Sequence, residues 1–212
     1  MSIAEKLTTV AENVSKVYEA GKKAEYDEFW DSFQENGNRT AYTNAFSYGG
    51  WTDEIYNPKY TIKPTSCNNL FAAASYLTDT KVDIDLTDTS GSQKYYIFSS
   101  ARKLKTIRKL IVPPEWSATG CFDNCISLEN LTIEGTIGKN NFNVQWSTNL
   151  SGESIVSIIE ALSSTTSELT VTLSQTAVNN MTFPITSKQT GITYDSWETL
   201  IATKSNWTIS LV

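Results

Sequence analysis

The sequence predicts an α+β chain: an N-terminal coiled-coil helix followed by a short irregular solenoid of repeats. Three observations predict it. Ile3, Leu7, Val10, Val14 and Val17 are spaced four, three, four and three, a narrow apolar seam. Further on, Phe122, Cys125, Leu128, Leu131 and Ile133 are spaced three, three, three and two. Steps of three suit a tight coil, and a step of two suits a strand. This coil-then-strand unit recurs. One unit hides about four or five apolar side chains worth roughly 1.5–3 kcal/mol each. Ordering its residues costs about 1–2 kcal/mol apiece in backbone entropy. A lone unit therefore cannot fold and must stack on neighbours.

Residues 1–36 are expected to form the helix and stalk. Written as heptads, Ile3, Val10 and Val17 are d positions and Leu7 and Val14 are a positions. Gly21 and Ala24 continue the frame, and Glu28 breaks it. β-Branched residues at d favour more than two strands, so a homotrimer is expected, with a dimer as second choice. The competing reading is an amphipathic helix lying on its own domain. Against that, the seam is narrower than the stripe a globular core prefers. Tyr26, Phe29, Trp30 and Phe33 then widen the apolar face for docking, and Gly37 is available as a left-handed cap.

Residues 37–66 follow neither period and are broken by Asn, Gly and Pro. They hold Tyr42, Phe46, Tyr48, Trp51, Tyr56 and Tyr60, too aromatic for a free linker. They read as a collar that caps the first repeat, with a sugar-stacking platform as the sharper alternative. The run from Ala11-Glu-Asn-Val to Asp31-Ser-Phe-Gln, with Asn36-Gly-Asn-Arg-Thr and Trp51-Thr-Asp-Glu-Ile-Tyr, resembles the start of proteins encoded in phages and prophages of Gram-positive gut bacteria. In that group a coiled-coil start precedes repeats, and the proteins are usually placed among tail or baseplate appendages.

Residues 67–212 are expected to be the solenoid with its C-terminal cap. Phe98, Ala101, Leu104 and Ile107 repeat the coil, followed by a strand near Leu110–Val112. Phe71, Ala74 and Leu77 repeat it again, with Val82, Ile84 and Leu86 as strand. The Phe anchors lie 27 and then 24 residues apart, within the leucine-rich-repeat range. Residues 67–137 resemble irregular leucine-rich repeats of the BspA-like bacterial type. Ile155, Ile158, Ile159 and Leu162 then predict a helix after a Ser151-Gly-Glu start signal, and Leu169–Leu173 alternates as a strand. A last helix is expected near 196–203 and a last strand near 207–211, an ending that resembles that of the same phage-associated group.

With the strand apolar residues facing a core, Asp83, Asp85, Thr132, Glu134, Thr170, Thr172, Thr208 and Ser210 should line the opposite face of one sheet. The first six of these form the candidate ligand face, a polar and acidic strip; ordinary solvated strand residues are the plainer reading. Around Lys109–Val112 the frame is ambiguous by one residue.

The remaining chemistry is mostly negative. The chain has 17 basic and 23 acidic residues, a net charge of −6 and no basic run, against nucleic acid or anionic membrane as partners. No apolar run is long enough to span a bilayer, and the start lacks the pattern of a secretory signal. With no histidine, Ser-His-Asp and Cys-His machinery is excluded. Asp53 with Glu54, or Asp83 with Asp85, could be nominated as glycosidase acids, but adjacent residues point apart and i, i+2 pairs are commonplace in strands. Three cysteines make no disulfide framework, and Cys125 occupies the small core slot held by Ala101 and Ala74. No metal, cofactor or catalytic residue is expected. The resemblance to the phage-associated group implies a non-enzymatic phage virion appendage of tail-fibre or baseplate type, displaying a module that binds a host cell-surface polymer or protein. It would be assembled in the bacterial cytoplasm beside other virion proteins. The alternatives are a bacterial cell-surface adhesin and a purely structural head fibre or plug.

Overall fold

In the computed structural model, the described residues are 61–89, 95–114, 116–166 and 168–212, together with Asn13, which is helical. The seam Ile3, Leu7, Val10, Val14 and Val17 and the aromatic residues of 37–60 lie outside the described residues. Strands β1 (Asp83–Asp85), β2 (Thr106–Ile111) and β3 (Asn130–Glu134) form one parallel sheet in that order. Strands β4 (Phe142–Asn143), β5 (Leu169–Leu173) and β8 (Trp207–Leu211) form a second parallel sheet. Strands β6 (Ile185–Thr186) and β7 (Thr193–Tyr194) make an antiparallel hairpin. Helices α1 (Gly152–Ala161), α2 (Gln175–Asn179) and α3 (Trp197–Ala202) complete the described elements.

The tight coils before β1, β2 and β3 stack. The Phe71 and Phe98 rings lie 5.4 Å apart at 2°, and Phe98 and Phe122 lie 5.7 Å apart at 16°. Backbone bonds join successive coils: Phe71 N–H donates to Ile97 O at 2.7 Å, and Phe98 N–H to Cys121 O at 3.0 Å. Two left-handed positions recur in each coil, Asn69, Tyr96 and Gly120 in one place and Ala73, Ser100 and Asn124 in the other. Of these six only position 120 is glycine, and there a Cβ would come within 2.3 Å of the Tyr96 ring. Ala74, Ala101 and Cys125 fill the small slots and are fully buried. The Cys125 thiol donates to Phe98 O at 3.1 Å, and burial raises its pKa to about 12.

The predicted fold class does not hold. Among the described residues the longest helix has 10 residues, and the strands fall into three small sheets rather than one continuous solenoid. The physical reason lies at β3. Where another strand would have to pair, α1 lies along the edge and its serines take up the backbone. Leu131 N–H donates to Ser154 Oγ at 2.9 Å, and Ile133 N–H to Ser157 Oγ at 2.8 Å. Ser151 caps this helix, its hydroxyl accepting from Ser154 N–H. With the edge filled, the chain continues by isolated bridges, Ile137 to Trp116 and Ile137 to Leu162, before the second sheet begins. The ring stack turns at the same place: Phe142 meets Phe122 at 5.5 Å but tilted by 56°.

Candidate functional site

The sequence frame on β2 was ambiguous, and the register explains why. Ile107 pairs with Leu131 and Leu110 with Ile133, so Arg108 and Lys109 together oppose the single residue Thr132. This is a bulge, and it leaves two cations between two apolar residues that both point inward. Each cation meets an acid on a neighbouring strand. Lys109 Nζ lies 3.2 Å from Glu134 Oε2 on β3. Arg108 Nε lies 3.2 Å from Asp83 Oδ1 on β1, near enough for charge attraction but not aligned as a hydrogen bond, so that buried oxygen has no hydrogen-bond donor. Arg108 is steadied instead by Lys81 O, which accepts from its guanidinium at 3.2 Å.

Asp85, the second acid of β1, is tied to Lys63 at 3.5 Å and accepts from Thr87 N–H and Thr87 Oγ at 2.9 and 2.6 Å. Burial works against its charge. The Thr87 hydrogen bonds and the Lys63 ammonium outweigh that, and the carboxyl titrates below its ordinary range. The face of the first sheet is therefore not the acidic strip the sequence suggests but a set of crossed ion pairs.

The hairpin supplies a wall. Its turn carries Lys188 and Gln189, which reach over the edge of β3. Lys188 pairs with Glu153 near the start of α1, and Gln189 Nε2 donates to Ile133 O and to Ser157 Oγ. The hairpin is held to α1 through Glu160, which accepts from Ser187 Oγ at 2.7 Å, Thr190 Oγ1 at 2.7 Å and Tyr194 OH at 2.9 Å. Burial, and then the Glu160 carboxylate, raise the Tyr194 pKa to about 12. Between this wall and the sheet face lies a groove of about 560 Å³, lined by Asp83, Arg108, Lys109, Thr132, Glu134 and Gln189 among others.

Of the six predicted ligand-face residues, Asp83, Thr132 and Glu134 line this groove, and Asp85 lies on the same strand as Asp83. Thr170 and Thr172 do not join them: they sit on β5, in the second sheet. The expectation of one shared sheet face is thus corrected, because the ladder is interrupted after β3. Sequence reasoning missed Arg108, Lys109, Lys188 and Gln189.

The polar groups that line the groove are paired charges, a hydroxyl and an amide. The three cysteines are buried, and burial pushes the Cys121 thiol well above its ordinary value, leaving it protonated. Among the described residues no group of three or more acids and cysteines is placed to hold a metal ion, and no helix is long and apolar enough to cross a membrane. No protein-family profile, curated protein or solved structure matches the chain.

Proposed function

We propose that this chain is a non-enzymatic component of a phage particle, an appendage of tail-fibre or baseplate type that binds a host surface ligand through the groove on the first sheet. The observation that carries the reading is the groove itself. Its charged side chains are held in place by one another yet keep an open, hydrogen-bonding surface, which suits recognition more than chemistry. The resemblance of residues 10–62 to phage-encoded starts supplies the setting, and other virion proteins are then the structural partners. The apolar seam Ile3, Leu7, Val10, Val14 and Val17 brings copies together, three being favoured, so that weak contacts add in avidity. The excess of acid over base argues against nucleic acid as the ligand.

The test is an electron micrograph of particles induced from a lysogen carrying this chain, labelled with antibody raised against it. Label at the tail tip or baseplate is the expected result. Label confined to the bacterial envelope would point to an adhesin, label on the head to a structural fibre, and either would overturn the proposal.

A further inference from the structure

We infer that the ligand of this groove is a linear, uncharged, polyhydroxylated chain, a neutral glycan. The inference rests on the reading of the groove as the host-binding surface. Shape is the first argument. The groove shares Thr132, Lys188 and Gln189 with a hollow of about 230 Å³ beside β3. That hollow shares Ser151 and Glu153 with a third, of about 470 Å³, at the start of α1. The three hollows are therefore neighbours along the edge of β3 and the start of α1, with the paired Lys188 and Gln189 side chains between the first two. A row of neighbouring hollows fits an extended polymer better than a compact small molecule.

Chemistry then separates the polymers. An extended peptide binds a sheet edge by adding a strand, which requires free backbone groups. On β3 the N–H groups of Leu131 and Ile133 are already given to Ser154 and Ser157, and Ile133 O already accepts from Ser157 Oγ and Gln189 Nε2. There is no ladder for a peptide to extend. A polyanion fares no better. Arg108 faces Asp83, Lys109 faces Glu134 and Lys188 faces Glu153, so each cation brings a carboxylate that repels a phosphodiester. What the groove offers is a balanced lining: the Thr132 hydroxyl, the Arg108 and Lys109 donors and the spare acceptor capacity of the Glu134 carboxylate. A sugar hydroxyl both donates and accepts, so it can meet either kind of group.

The experiment is a pelleting assay of the labelled full chain with Gram-positive gut bacteria, either untreated, oxidised with periodate or digested with protease. The neutral-glycan assignment expects retention on untreated cells that periodate abolishes and protease spares. It also expects retention to change little between about 0.05 M and about 0.5 M NaCl, where screening would weaken a charge-driven contact. A Thr132→Arg chain, checked for its native circular dichroism, should bind at least about tenfold more weakly because the longer side chain fills the groove. Loss on protease digestion would assign the ligand to protein. Steep salt dependence with tighter binding by T132R would assign it to a polyanion. Either result overturns the inference and leaves host binding standing. Unchanged retention of a folded T132R would remove the ligand from the groove. Retention on no untreated cells would overturn the host-binding reading itself.

Discussion

In the first sheet, tight coils lead from strand to strand; in the second, the connections run through helices. Both sheets pair their strands in parallel, and both bury alternate residues. What differs is the interior and the outward face. The coils place one phenyl ring over the next, so β1, β2 and β3 rest on a stack of aromatic side chains. Strands β5 and β8 instead bury Val171, Leu173 and Trp207 in a core shared with helix residues such as Ile158, Ile159 and Leu200. Outward, the first sheet carries crossed ion pairs, while the second presents Thr170, Thr172, Thr208 and Ser210. The comparison teaches that a coil connection can be repeated only while its growing edge stays open. The first helix long enough to lie along that edge ended the repetition, because its serines supplied the partners a strand would have supplied.

The largest test of this contrast is the ring stack. Phe98 is fully buried between Phe71 and Phe122. Phe98→Ala should destabilise the protein by about 3–5 kcal/mol, the usual cost of emptying a large aromatic site. A urea titration measures it through the midpoint at constant slope. A loss below about 1 kcal/mol would mean that the coils do not depend on the stack, and the distinction between the two interiors would fall.

The next effect separates the edges. Ser157→Ala removes the acceptor for the buried Ile133 N–H, whereas Thr172→Ala removes a half-buried hydroxyl for which no role in the second sheet is evident. Leaving a buried donor unpaired costs about 1–3 kcal/mol, against a change within about 0.5 kcal/mol for an ordinary surface position. Equal losses in thermal denaturation would show that α1 does not close the edge of β3. Ser154→Ala should behave as Ser157→Ala does, through Leu131 N–H.

How much of this was legible in the sequence follows from the same physics. Phe71, Phe98 and Phe122, with their small slots at Ala74, Ala101 and Cys125, could be read because steps of three are unlike either common period and because a strand follows each coil. Arg108 and Lys109 could not. Counting alternate residues assumes a period of two, and the bulge inserts one residue too many. The closing role of Ser154 and Ser157 was hidden because serine on a helix reads as a solvated position. The hairpin wall was missed because β6 and β7 have only two residues each, too short to show a period. Thr170 and Thr172 shared the strand pattern of Thr132, and only the interrupted ladder separates them. The apolar residues that predict oligomerisation, Ile3, Leu7, Val10, Val14 and Val17, fall outside the described residues.

The smallest expected effect uses the outward faces. Asp85 is held below its ordinary carboxylate range, so it favours the folded state above the unfolded value, about pH 3.9. As pH falls through the folded value the carboxylate is protonated and that contribution disappears. The Thr and Ser face of the second sheet has nothing to titrate there. Amide hydrogen exchange compared at about pH 5 and about pH 3, after correction for intrinsic rates, should therefore show looser protection at Asp85 and Leu86 than at Thr170 and Thr172. Exposed ion pairs contribute only about 0–1 kcal/mol, so the difference should be at most severalfold in exchange rate. Asp85→Asn, which keeps the shape but not the charge, should abolish it. If acid loosened both sheets alike, or if the variant still responded, the charged face would have no energetic distinction from the hydroxylated one, and the first sheet would differ from the second only in what lies beneath it.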